Sequence, residues 1–107
     1  PRAEIGRNVL IMAGVVITSN AVVGDHVFIL PNTVIHHDAV VRAWNLIGSN
    51  VTIAGHVMIG ENCYIGSGSS IMNGLRVGDG ALVGMGSNVI RDVAPGARIV
   101  GNPAHPI

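Results

Sequence analysis

The chain has 107 residues, of which 49% are hydrophobic, 3% aromatic and 11% charged, and its six basic residues balance its six acidic ones. This length predicts one domain, and high hydrophobicity without net charge excludes a disordered chain. Polar residues or glycines interrupt every apolar stretch well before the roughly 18 residues of a membrane span. Scattered arginines and few aromatic rings exclude a nucleic-acid-binding face. We therefore expect a soluble, cytoplasmic domain that contacts neither membrane nor nucleic acid.

An aliphatic residue recurs at every sixth position along most of the chain. Fifteen consecutive positions carry only Ile or Val: Ile5, Ile11, Ile17, Val23, Ile29, Ile35, Val41, Ile47, Ile53, Ile59, Ile65, Ile71, Val77, Val83 and Val89. A small or β-branched residue often comes four positions later, and Gly often follows the aliphatic residue directly. A period of six fits neither an α-helix nor one long alternating strand. It predicts short strands separated by turns, with one aliphatic side chain returned to the interior by each turn.

This pattern resembles the hexapeptide repeat of left-handed parallel β-helices, in which three hexapeptides form one triangular coil. The resemblance covers residues 5 to about 93 and implies an all-β fold of about five coils. It alone supplies the left hand, which is an exception to the usual right-handed crossover between parallel strands. We expect residues 1–93 to form the β-helix. Residues 94–107 begin with a turn signal, end in a way that resembles hexapeptide acyltransferases, and are expected to form a C-terminal tail packing on the helix.

One outer face of the predicted β-helix is apolar. With eighteen residues per coil, one outward column contains Leu10, Phe28, Leu46, Tyr64 and Leu82. An exposed apolar patch of this kind usually marks a protein interface. Hexapeptide-repeat proteins are typically homotrimers packed side by side, so the resemblance implies a homotrimer. Cover by a further segment of the same chain is the alternative.

The run Val34–Ala39 contains the strongest candidate for acid–base chemistry. His37 falls in a turn with Asp38 beside it, and a neighbouring carboxylate orients an imidazole for work as a general base near neutral pH. A solvated turn histidine beside a solvated aspartate is the alternative. One coil above His37 lies Gly55 and one coil below lies Ser19, which leaves space for an acyl group. The Gly55 N–H is also placed to stabilise an oxyanion.

The same run resembles the catalytic segment of the nucleotide-sugar acetyltransferases that acetylate amino sugars. In that family a Val-Ile-x-His-acid stretch carries the base, which falls on His37, and the acid that raises its basicity falls on Asp38. The resemblance implies acetyl-CoA as the acyl donor, contacted at Gly55, Ser67 and Met85 largely through the backbone. No metal is expected.

Further positions extend this candidate site. His36, at the outward strand position beside the turn, is a candidate contact of the acceptor. Asn45 is either a hydrogen-bonding corner residue or a substrate contact. A second histidine of the family falls on Leu46, which leaves an altered acyl donor open. Cys63 occupies an inward small-residue position and is expected to be a packed core thiol rather than a nucleophile.

The expected reaction is direct acetyl transfer from acetyl-CoA to an amine or hydroxyl of a sugar or nucleotide sugar. The family enzymes carry an N-terminal α/β domain, and this sequence starts within the coils, as either an excised C-terminal half or a minimal enzyme would. A non-catalytic trimeric scaffold is one alternative. A γ-carbonic anhydrase-like metalloenzyme is another; it needs three histidines on zinc, two of them five residues apart, and the five histidines offer no such pair.

Overall fold

The protein is described here as a computed structural model covering residues 2–107. Fifteen two-residue strands alternate with turns, and two longer strands follow at the C-terminal end. The strands are β1 Glu4–Ile5, β2 Leu10–Ile11, β3 Val16–Ile17, β4 Val22–Val23, β5 Phe28–Ile29, β6 Val34–Ile35, β7 Val40–Val41, β8 Leu46–Ile47, β9 Thr52–Ile53, β10 Met58–Ile59, β11 Tyr64–Ile65, β12 Ser70–Ile71, β13 Arg76–Val77, β14 Leu82–Val83, β15 Asn88–Val89, β16 Arg98–Gly101 and β17 Ala104–Pro106. Each two-residue strand ends on the aliphatic residue of its hexapeptide.

The strands form three sheets, which are the faces of a triangular prism measuring 35 × 21 × 21 Å. Sheet I contains β1, β4, β7, β10 and β13; sheet II contains β2, β5, β8, β11, β14, β16 and β17; sheet III contains β3, β6, β9, β12 and β15. Every third strand pairs in parallel, as Met58 does with Val40 one coil below and Arg76 one coil above. The predicted all-β fold, a parallel β-helix of about five coils, is confirmed.

The aliphatic column on each face fills the interior. The second residue of every strand from β4 to β15 is at most 2% exposed. Ile5 and Ile11, in the first of the described coils, are 43% and 42% exposed. Phe28 points outward, as predicted, and is 45% exposed. A narrow triangular interior therefore explains why the core is built without aromatic rings.

Each turn places one residue in the left-handed backbone region, at every sixth position from 8 to 86. Asn and Gly occupy ten of these fourteen positions, since they adopt a positive φ most readily. Trp44 is the bulky exception, with a φ of 64°. Its ring stacks on His26 one coil below at a centroid distance of 4.2 Å. This stack was not foreseen, although the eighteen-residue spacing of the two residues is its signal in the sequence.

The C-terminal tail leaves the eighteen-residue register. Val93 bridges Val77, and β16 pairs in parallel with β14, both with an offset of sixteen residues. Strand β17 then folds back antiparallel on β16. The tail therefore adds two strands to sheet II beyond the last full coil. Residues 2–107 contain no helix long and apolar enough to cross a membrane.

Candidate active site

The III–I edge, where the chain passes from sheet III to sheet I, holds the candidate base. His37 and Asp38 form the turn between β6 and β7, and their side chains are 58% and 38% exposed. The His37 Nδ1 atom lies 3.1 Å from Asp38 Oδ2. Because a carboxylate only accepts hydrogen bonds, this contact places the proton on Nδ1 and leaves the lone pair of the neutral ring on Nε2.

Gly55 lies directly against this ring from the coil above. A Cβ atom built on Gly55 would lie 2.7 Å from both Cε1 and Nε2 of His37. Real Cβ atoms essentially never approach a neighbour this closely. The absence of a side chain at residue 55 therefore leaves room for the His37 ring against the backbone of the next coil.

The backbone N–H of Gly55 is a free donor beside His37. At equivalent turn positions, the N–H of Glu61 donates to Asp79 Oδ1 one coil above, at 2.8 Å, whereas the N–H of His37 itself donates to no atom within residues 2–107. Within residues 2–107, the Gly55 N–H donates to no atom. The edge itself is held by backbone hydrogen bonds, because His56 N donates to His37 O at 3.1 Å. A backbone N–H without an acceptor and the His37 ring thus lie on adjacent coils of the same edge.

His56 follows Gly55 and approaches the same carboxylate from above. Its Nε2 atom lies 3.8 Å from Asp38 Oδ2, and its side chain is 65% exposed. The His56 and His37 rings meet edge to face, with centroids 5.2 Å apart and an interplanar angle of 85°. Asp38 is therefore flanked by two imidazoles.

The residues expected to contact the acyl donor lie on two different edges. Gly55 belongs to the III–I edge, whereas Ser67 and Met85 lie on the II–III edge, where the chain passes from sheet II to sheet III. Ser67 Oγ accepts a hydrogen bond from Ser49 N at 3.0 Å, and Met85 is 69% exposed. A single chain thus places its candidate base and two of its expected donor contacts at opposite ends of the sheet III strands.

The two expected acceptor contacts have different surroundings. His36 lies half-buried beside His37, directly after β6. Asn45 is 3% exposed; its Nδ2 donates to the carbonyls of Arg42 and Gly60 at 2.8 and 2.7 Å. Its Oδ1 accepts from Cys63 N at 2.8 Å. These bonds use both N–H groups of the amide, which supports the corner hydrogen-bonding alternative for Asn45.

Cys63 is a core thiol. It is 4% exposed, and its Sγ lies 3.2 Å from the Gly78 carbonyl oxygen. Burial raises the pKa of the thiol, although hydrogen bonds from the Ala81 and Gly80 backbone oppose this shift. A thiol that is buried and held protonated is a poor nucleophile.

The apolar outer face of sheet II carries a groove of about 500 Å³. The groove is lined by all three aromatic residues of the chain, which are Phe28, Trp44 and Tyr64. Leu46 and Leu82 line it as well. Leu46 is 38% exposed on this face. The apolar column expected from the eighteen-residue spacing is thus present at the surface, away from His37.

Three solved structures resemble this chain closely. A perosamine N-acetyltransferase from Caulobacter crescentus, a single-residue variant in complex with CoA and GDP-perosamine, is 31% identical with a TM-score of 0.98, over 100% of this chain and 51% of that one. A UDP-N-acetylglucosamine O-acyltransferase from Moraxella catarrhalis is 31% identical with a TM-score of 0.95, over 98% of this chain and 44% of that one. The acetyltransferase domain of PglB from Neisseria gonorrhoeae, in complex with acetyl coenzyme A, is 27% identical with a TM-score of 0.66, over 100% and 55%.

The chain thus spans about half the length of these proteins. It matches no curated protein sequence. The family model for the bacterial transferase hexapeptide (six repeats) matches residues 2–37, 20–55, 38–73 and 56–91, which together cover most of the chain. The repeats, the fold and this match agree, and the chain belongs to the bacterial transferase hexapeptide family.

Proposed function

We propose that this chain is the acyl-transferring part of an acetyltransferase that moves the acetyl group of acetyl-CoA to an amine or hydroxyl of a sugar or nucleotide sugar. The observation that carries the proposal is the pairing of two groups at the III–I edge. Cε1 and Nε2 of His37 are the ring atoms nearest to Gly55, whose N–H donates to no atom of residues 2–107. Acyl transfer needs a base for the nucleophile and a donor for the oxyanion.

The proposed reaction is direct transfer. His37 Nε2 takes the proton of the acceptor amine or hydroxyl as that atom attacks the thioester carbonyl carbon. The oxyanion forms beside the Gly55 N–H, and its collapse breaks the carbon–sulfur bond. The CoA thiolate leaves and receives the proton from the imidazolium. Asp38 accepts the Nδ1 hydrogen bond and stabilises the imidazolium while it exists.

The separation of the two edges supports a homotrimer. In a side-by-side assembly, the II–III edge of one copy faces the III–I edge of its neighbour, which brings Ser67 and Met85 to the donor at His37. The exposed apolar face of sheet II, with Leu10 46% and Phe28 45% exposed, supplies a surface for such an assembly. Each site is then built from two chains. We place His36 at the acceptor end of that site, beside the base.

The relatives indicate the chemical class of the acceptor, but they do not distinguish an amine from a hydroxyl as the group that is acylated. The perosamine enzyme is an N-acetyltransferase bound to a nucleotide-linked amino sugar, and the Moraxella enzyme is an O-acyltransferase. Both are 31% identical to this chain, so identity does not separate N- from O-transfer. The acceptor panel must therefore include nucleotide-linked sugars with a free amine and with a free hydroxyl only.

The test is CoA thiol release from acetyl-CoA with this panel, using the protein at its natural length. We expect His37→Asn to reduce kcat by about 10²- to 10⁴-fold, the usual contribution of a general base. His26→Asn is the matched control, since it removes a histidine from another edge. Unchanged turnover in His37→Asn would refute the proposed base. No turnover with any acceptor, and no CoA binding, would favour the non-catalytic scaffold.

A further inference from the structure

The III–I edge gathers three metal-ligating side chains, and the proposed reaction uses only two of them. Ligand atoms of His37, Asp38 and His56 all lie within 4.8 Å of one another. Asp38 Oδ2 is 3.1 Å from His37 Nδ1 and 3.8 Å from His56 Nε2. In a tetrahedral zinc site with bonds of about 2.0–2.2 Å, neighbouring ligand atoms lie about 3.3 Å apart. The observed distances are on either side of this value.

The backbone beneath these side chains is fixed, whereas the side chains themselves are free to adjust. Asp38 and His56 occupy stacked turn positions with the same φ of 61°. The hydrogen bond from His56 N to His37 O, at 3.1 Å, locks the two coils together. The three side chains are between 38% and 65% exposed, so rotation about their side-chain bonds can close the remaining distance without moving the helix.

We propose that His37, Asp38 and His56 bind a borderline divalent cation such as Zn²⁺, and that this cation inhibits the enzyme. Two imidazoles and one carboxylate are a donor set that suits Zn²⁺, with a fourth position left for water. Mg²⁺ and Ca²⁺ prefer oxygen ligands, and only one of the three side chains supplies oxygen. A hard, oxygen-preferring cation is therefore a poor fit for this donor set.

Inhibition follows from the tautomers of His37. If the cation occupies Nδ1, the neutral ring carries its proton on Nε2 and has no lone pair for the acceptor. If the cation occupies Nε2, it takes that lone pair itself. In both cases the base is lost for as long as the cation stays bound. The inhibition rests on the proposed function, whereas the binding does not.

The test is a Zn²⁺ titration by calorimetry, with Co²⁺ absorption as a report of the ligand geometry. His56→Asn removes one ligand and keeps the fold, because Asn occupies five of the left-handed turn positions: Asn8, Asn20, Asn32, Asn50 and Asn62. The matched control is His26→Asn, which makes the same exchange at a turn with a φ of 57°. We expect one Zn²⁺ per chain, weakened about tenfold or more in His56→Asn, because even outer ligand partners contribute tenfold. The control should bind as the parent chain does.

Zn²⁺ binding that does not saturate in the micromolar range, or that has the same affinity in His56→Asn and the parent chain, would overturn the site.

A second measurement addresses inhibition. Zn²⁺ should slow thiol release, a chelator should restore it, and His56→Asn should need more Zn²⁺ for the same fractional loss, relative to its own metal-free rate. Zn²⁺ binding at this site without any slowing of turnover would overturn the inhibition, and with it the proposed role of His37 as base. Binding in a protein that transfers to no acceptor would overturn the proposed function but leave the metal site standing.

Discussion

Replacing Gly55 with alanine adds a methyl group directly against the candidate base. The new carbon would lie 2.7 Å from His37 Cε1 and Nε2, whereas ordinary contact begins at 3.4 Å. The ring must therefore move by roughly 0.7 Å or more, which the 58% exposure of its side chain permits. Gly55 has no positive φ, so its backbone accepts alanine without strain. The perturbation is thus confined to the position of His37, and the Gly55 N–H is retained.

A displacement near 1 Å in an active site can cost about 10²-fold in rate. We expect Gly55→Ala to lower kcat about 10- to 100-fold, or about 1.4–2.7 kcal/mol of barrier, with little change in stability. The assay is thiol release, with the thermal midpoint measured in parallel. Gly80→Ala is the control, because it adds a methyl group at the turn between β13 and β14, where the nearest atom to the new carbon is Gly96 Cα at 4.0 Å, away from both His37 and Met85. Wild-type kcat in Gly55→Ala, or an equal fall in both variants, would refute the reasoning.

Three further predictions concern stability and reactivity. Ile47→Ala should cost about 3–4 kcal/mol in urea unfolding and Ile90→Ala only about 1, because Ile47 is fully buried and Ile90 is 38% exposed; equal losses would contradict the aliphatic interior. Asn45→Ala should cost about 2 kcal/mol or more, since it leaves the Cys63 N–H without an acceptor and removes the amide donor to the Gly60 carbonyl, and should leave KM unchanged; native stability with a raised KM would instead assign Asn45 to the acceptor. Cys63 should resist thiol-labelling reagents in the native protein at mildly alkaline pH and react when unfolded, because burial raises its pKa; rapid native labelling would show that the thiol is accessible.

The six-residue period predicted most of the fold. Short strands joined by turns bury the Ile or Val side chain that recurs at every sixth position. The observed two-residue strands end on those residues. The spacing also predicted that Gly55 lies above His37 and that Phe28 lies on the outside. In a coil of constant length, residues eighteen positions apart in the sequence stack on one another. The left hand came from the family resemblance, since periodicity is the same for both hands.

The turns show where local sequence was informative but incomplete. Asn and Gly at every sixth position mark the left-handed turn residues, since both tolerate a positive φ. Trp44 does not follow that rule, and its stacking on His26 depends on a partner eighteen residues away. The tail changes its offset to sixteen residues at Val93 and adds β16 and β17 to sheet II. The local sequence carries no hexapeptide signal from which this pairing is evident.

The sequence by itself determined the aliphatic interior, the stacked columns and the pairing of His37 with Asp38, because these depend on residue spacing alone. Only the tertiary structure decided which atoms meet. It places Nε2 of His37 against Gly55, brings His56 to 3.8 Å from the Asp38 carboxylate, and engages the Asn45 amide with backbone. It also separates Ser67 and Met85 from His37 by the width of sheet III. Side-chain direction and the position of each edge around the prism settle these contacts, and both depend on how successive coils stack.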